Sequence, residues 1–214
     1  MSNAVFPKLQ KPKLSVRTFQ PLVGMKIPAV DETDDGHVGK WIHNVVAKSL
    51  NQSGSSAHGP DLEDFGVELK TTDTDTDSAI TIGHLTLDNI LCKPYKQSNI
   101  FQKLQCLLIV QRTDKFREIT KVDLHYLDND EIQTYLEKSY NEARDKIIDF
   151  VFNNVRNRYG FEFKPYKRFS GKYAFFEVSK NGTGFQFRIE KKKLQFLTNL
   201  NTNSSNVDRL FDIV

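Results

Sequence analysis

Apolar residues along this chain follow two periodicities. From Asp130 to Arg158 they recur at helical spacing: Ile132, Leu136, Tyr140, Ala143, Ile147, Val151 and Val155 form one stripe, which predicts a long core-packing helix. A shorter helix is predicted from about Val38 to Leu50, burying Trp41, Ile42, Val45, Val46 and Leu50. Asp34-Asp35-Gly36 just ahead is a turn and helix-start signal, its acids complementing the helix N-terminus. Alternating or continuous apolar runs predict strands at Phe65–Thr71, Ala79–Leu85, Leu104–Gln111, Val122–Leu127, Phe161–Tyr166, Tyr173–Val178 and Gly184–Ile189. Leu104–Gln111 is almost unbroken in its apolarity, as expected of a central strand buried on both faces. Asn181-Gly182 predicts the hairpin turn before the last strand. Lys191–Leu197 and Asn206–Val214 predict short helices, and no repeat is visible. The sum is an α/β chain with a mixed central β-sheet flanked by helices. It divides into an arm of short strands or turns (1–30), a core (31–128), and a helix with a β-rich C-terminal part (129–214).

Composition narrows the class. At 214 residues with 38% hydrophobic content, the chain can bury one sizeable core or a core plus a subdomain. No run approaches the length of a membrane helix, and the N-terminus has no apolar signal region, so a cytoplasmic protein is expected. Cys92 and Cys106 are the only cysteines, too few for a disulfide framework or a Cys-rich zinc site. Net charge is +3 but unevenly spread. Arg156–Lys193 carries eleven Lys and Arg against three Glu, interleaved with aromatics, whereas Asp31–Asp64 carries seven acids and two lysines. A basic lobe beside an acidic one suits a protein that grips phosphates with one part and holds cations with the other. Solvated lysines over an aromatic core would give the same count.

The stretch Gly59–Thr72, GPDLEDFGVELKTT, concentrates the candidate chemistry. On a strand, Glu68 and Lys70 face one side, Val67 and Leu69 the other. Asp61 precedes Glu68 by seven residues; Pro60 stiffens the entry, and Gly66 permits a bulge or a close backbone approach. Two carboxylates and an ammonium meeting beside an apolar layer is what metal-dependent phosphodiester cleavage needs. The next segment, TTDTDTDS, mimics the opening of a calcium loop, but Ser78 replaces the required glycine and His84 the required glutamate, so it reads as an acidic loop tip.

The words GVELKT, with Asp61 ahead of them, resemble the active-site strand of the PD-(D/E)xK nucleases, in particular the group of the mismatch-repair endonuclease MutH and related type II restriction enzymes. Further blocks resemble that group: Gly39-Lys40-Trp41-Ile42 at the helix leading to the site, Lys103-Leu104 before the central strand, and Gly182-Thr183-Gly184-Phe185 with Arg188 and Lys191 near the end. The last is also similar to the monomeric restriction enzymes MvaI and BcnI. The blocks span about two thirds of the chain. One position departs: where the group carries a further glutamate on the helix before the site, this chain has Ala47 in one register and His43 in the other, so either His43 or Asn44 substitutes or the metal site has fewer ligands.

The resemblance implies a restriction-endonuclease-like core and a Mg2+-dependent, sequence-specific cut in double-stranded DNA, with Mn2+ able to substitute. Asp61, Glu68 and the carbonyl of Leu69 would hold the metal, Lys70 would orient or deprotonate the attacking water, and Lys103 would contact a phosphate. Arg168, Lys180, Thr183, Gln186, Arg188 and Lys191 are the candidate DNA contacts, the two arginines as guanine-reading or phosphate-binding forks. The MvaI-like C-terminus favours restriction over MutH-type strand nicking, and a DNA-binding module that has lost catalysis is the further alternative. Monomer and homodimer both remain open.

Overall fold

The almost unbroken apolar run forms the strand around which the chain is built. The computed structural model describes residues 12–28, 37–51, 60–74, 76, 79–113, 117–155 and 163–200. Strand β3 (Cys106–Thr113) pairs in parallel with β1 (Glu68–Asp73) and antiparallel with β4 (Glu118–Tyr126), giving a mixed three-stranded sheet in which β1 is an edge. Side chains alternate across a strand, so β3 feeds two cores. Cys106, Leu108 and Val110 enter one with Ile42, Val46 and Ala47 of helix α1 (His37–Ser49). Leu107 and Ile109 enter the other with Leu136, Tyr140 and Ala143 of helix α4 (Asp130–Val155).

Strand β2 (Ile80–Leu85) leaves this sheet and pairs antiparallel with β7 (Phe185–Ile189). Beyond β7 lie β6 (Ala174–Val178) and β5 (Arg168–Ser170). The expected central sheet is thus divided: a mixed three-stranded sheet and an antiparallel four-stranded one. The α/β class stands, with the long helix covering the second sheet through the predicted stripe. Ile132, Leu136, Tyr140, Ala143 and Ile147 are all fully buried. A parallel β1–β3 pair needs a crossover. It contains β2, helix α2 (Leu87–Cys92), a 3-10 turn (Tyr95–Gln97) and helix α3 (Asn99–Lys103). Thr86 and Ser98 cap the two short helices, and Arg144 of α4 donates to the carbonyls of Ile90 and Leu91, both at 2.7 Å, holding the C-terminal end of α2.

Several boundaries differ from the pattern-based reading. Strand β1 begins at Glu68, because residues 62–67 form a tight hairpin around Gly66, whose φ is +67°. The described part of the segment expected as Phe161–Tyr166 is turn and irregular chain; Tyr166 sits at φ +64°, and the strand starts two residues later at Arg168. The N-terminal segment holds a 3-10 helix (Val16–Leu22) and places Phe19, Leu22 and Ile27 in the α1-side core, so its described part is integral to that core. The final predicted helices differ in outcome: residues 191–200 are helical, and 206–214 lie outside the described residues, as do 156–162. Cys92 is exposed; Cys106 is buried, and that burial, reinforced by Asp128, pushes its thiol up to about 12. Among the described residues no helix is long and apolar enough to cross a membrane.

The α4–β6 contact rests on a missing side chain. Ser139, fully buried, accepts from the amides of Tyr173 and Ala174, each at 2.9 Å, and a Cβ on Gly171 would lie 2.1 Å from the Ser139 carbonyl oxygen. That oxygen is backbone and cannot rotate away. Gly171→Ala is therefore expected to destabilise the chain by about 1–3 kcal/mol or more. Chemical denaturation against the parent chain measures it; an unchanged midpoint would contradict this packing.

Candidate functional site

Asp61 and Glu68 are brought together by a hairpin. Leu62 and Val67 exchange both backbone hydrogen bonds, at 2.8 and 3.2 Å, and both side chains are buried in the α1-side core. The next pair outward is Asp61 and Glu68, so a spacing of seven residues becomes a cross-strand pairing. Asp61 Oδ2 then accepts the Leu69 amide at 2.9 Å, fixing the carboxylate along the free edge of β1. In an extended strand a residue's N–H and C=O lie on the same side. The Leu69 carbonyl is therefore on the Asp61 side of β1.

Glu68 is fully buried. Its Oε1 accepts from Lys70 at 2.6 Å and Lys103 at 2.8 Å, and its Oε2 has no hydrogen-bond partner. Glu68 and Lys70 do share a face, as strand alternation requires. Lys103 arrives from the last turn of α3. Two ammoniums on one carboxylate oxygen lie no farther apart than the sum of those two distances. With Asp61 they leave a cluster in which two negative and two positive charges cancel.

The cluster borders a cleft of about 820 Å3, lined among others by Gly39, His43 and Asn44 of α1, Asp61, Leu69 and Lys70, and Thr81 of β2. His43 is half-buried, its Nε2 3.4 Å from the Asp61 carbonyl; Asn44 is exposed at the rim. Ala47, the alternative position for a helix carboxylate, points into the core. Glu68 does not line the cleft; Lys70 does. Asp73, expected in an acidic loop tip, is the last residue of β1 and lines the same cleft, while Asp75 and Asp77 lie outside the described residues.

The donor set suits a hard divalent cation. Glu68 Oε2 is a buried carboxylate oxygen without a hydrogen-bond partner, Asp61 has one oxygen beyond that bound by the Leu69 amide, and the Leu69 carbonyl is on the same side of β1. Among the described residues no group of three or more His, Cys, Asp or Glu side chains is placed to hold a metal ion.

The expected DNA contacts fall into two groups. Lys180 and Thr183 are exposed at the β6–β7 hairpin, where Asn181 accepts from the Thr183 hydroxyl at 2.8 Å. Gln186 is half-buried on β7. Arg168 and Arg188 instead meet on buried Glu177: Arg168 Nε donates to Oε1 at 2.9 Å and Arg188 Nη1 to Oε2. Burial would raise the Glu177 carboxyl, but these arginines outweigh it and hold it below its ordinary value. Lys191 Nζ donates to the carbonyls of Asp73 (2.8 Å) and Thr76, bracing the end of β1.

Sequence patterns missed Glu177 and His84. His84 is exposed on β2; partial burial and then the charges of Lys70 and Lys103 hold its imidazole below its ordinary value. Nothing local marks it, because the lysines that act on it are 14 positions before and 19 after it. No family model and no curated protein matches the chain.

The neutral imidazole is favoured in the folded chain, so the unfolded chain binds this proton first as pH falls. His84's contribution to stability is then full above 6.5 and declines as pH drops below it. Lys103→Met should move the His84 titration up, though not fully to its ordinary value, since burial persists. Imidazole NMR titrations of both proteins test this; an unmoved midpoint would remove Lys103 from the field at His84.

Proposed function

We propose that the chain is a Mg2+-dependent endonuclease acting on double-stranded DNA, built on a restriction-endonuclease-like core, with type II restriction as the favoured biology. The observation that carries this reading is the hairpin pairing of Asp61 with Glu68 beside Lys70, at the free edge of β1 and against an open cleft. Asp61, Glu68 and the Leu69 carbonyl would hold the ion, and Mn2+ would satisfy the same oxygen donors. Bound there, Mg2+ supplies Lewis acidity to a phosphate oxygen and acidifies a water.

The chain's own groups do the rest. Lys70 uses one N–H on Glu68 and retains others for a phosphate oxygen or the attacking water. Held at 2.6 Å by Glu68, its ammonium is placed to orient a water or a phosphate oxygen at the cleft. Lys103, on the same oxygen, adds a second cation beside the developing charge. His43 and Asn44 line the α1 wall, where a substrate strand or a bound water would meet them. The intact carboxylate–lysine cluster speaks against a module that has lost catalysis.

Asp61→Ala and Lys70→Ala should each lower plasmid cleavage in Mg2+ by roughly two orders of magnitude or more, with duplex binding largely retained. The assay is linearisation and nicking of supercoiled plasmid by the purified chain without partners, alongside calorimetric titration with Mn2+. Discrete fragments support restriction, single-strand nicks the MutH-type activity. Undiminished Mg2+-dependent cutting by either variant would overturn the assignment.

A further inference from the structure

The outer face of the four-stranded sheet carries a polar band that starts at the cleft. Thr81 lines the cleft and pairs with Arg188; one step along, His84 pairs with Gln186, Gln186 with Glu177, and Glu177 with Arg168. These positions alternate with Leu85, Phe185, Phe187, Phe176 and Phe169 of the α4-side core, so they share the face turned away from α4.

The two arginines on this face are held differently. Arg188 is mostly buried, with Nη1 on Glu177 and Nη2 on the Ala79 carbonyl at 2.8 Å. Arg168 gives only Nε to Glu177, at 2.9 Å, and its guanidinium lies 4.6 Å from the centre of the Phe175 ring. Its side chain is 54% exposed, and its terminal amino groups make no hydrogen bond to the described residues. A carboxylate behind and an aromatic ring beneath restrict the planar fork while its outer donors remain available.

We propose that Arg168 is a pre-positioned guanine reader, donating two hydrogen bonds to O6 and N7 of a guanine in the major groove of duplex DNA. Glu177 and Phe175 are its positioning residues, and Arg188 is a strut joining the sheet to the cleft wall. This deepens the DNA reading proposed above and rests on duplex recognition, not on cleavage.

The test is selection of duplexes from a randomised pool by the full chain in Ca2+, followed by affinity measurements on the enriched site. A guanine should be enriched, and replacing it with 7-deazaguanine should weaken wild-type binding roughly ten- to hundredfold. Arg168→Ala should bind both duplexes alike. Arg168→Lys, which keeps the charge and guards against misfolding, should retain most of the affinity and lose the discrimination. Glu177→Gln should reduce discrimination with Arg168 intact. No duplex binding, no enriched guanine, or undiminished discrimination in Arg168→Lys would each overturn the proposal. Guanine-selective binding without Mg2+-dependent cutting would leave it standing and sink the nuclease reading instead.

Discussion

A single buried carboxylate organises this molecule. Glu68 has no exposed surface, and an isolated charge there would be strongly unfavourable. It is tolerated because Lys70 and Lys103 converge on one of its oxygens, from its own strand and from the end of a helix 35 residues away. The pairing ties the last turn of α3, through Lys103, to β1. The same pairing leaves the second oxygen of Glu68, also buried, without a hydrogen-bond donor.

The elements most legible in the sequence are those whose cause is local. The α4 stripe, the buried β3 run and the Asn181-Gly182 turn each follow from spacing or backbone preference: Ile132 and Leu107 are fully buried, and Gly182 takes the positive φ of +72° that the turn favours. The pairing of Asp61 with Glu68 was half legible: strand alternation placed Glu68 with Lys70, but the hairpin through Leu62 and Val67 that sets Asp61 opposite is a tertiary consequence of both being buried. The division into two sheets was not legible. Ile80, Ile82 and Leu85 pack equally well against either sheet by pattern, and only the crossover and the aromatic core of Phe176, Phe185 and Phe187 decide it.

Charge counting was the least transferable guide. The C-terminal third is strongly basic, yet Arg188 and Lys191 are consumed by internal carbonyls and a buried glutamate, and Lys167 lies 3.6 Å over the Phe150 ring. Net charge says how many cations a segment has; it does not say which remain available to a partner. The distinction between Arg168 and Arg188 depends on one carboxylate and one ring that a linear count cannot weigh.

Because β3 has one face in each core, neither apolar layer can be lost alone without stripping the same strand of half its packing. The hairpin bearing Asp61 hangs on one layer and the strand bearing His84 on the other. Unfolding is thereby coupled across the chain, and amide exchange along β3 should approach the rate of global opening.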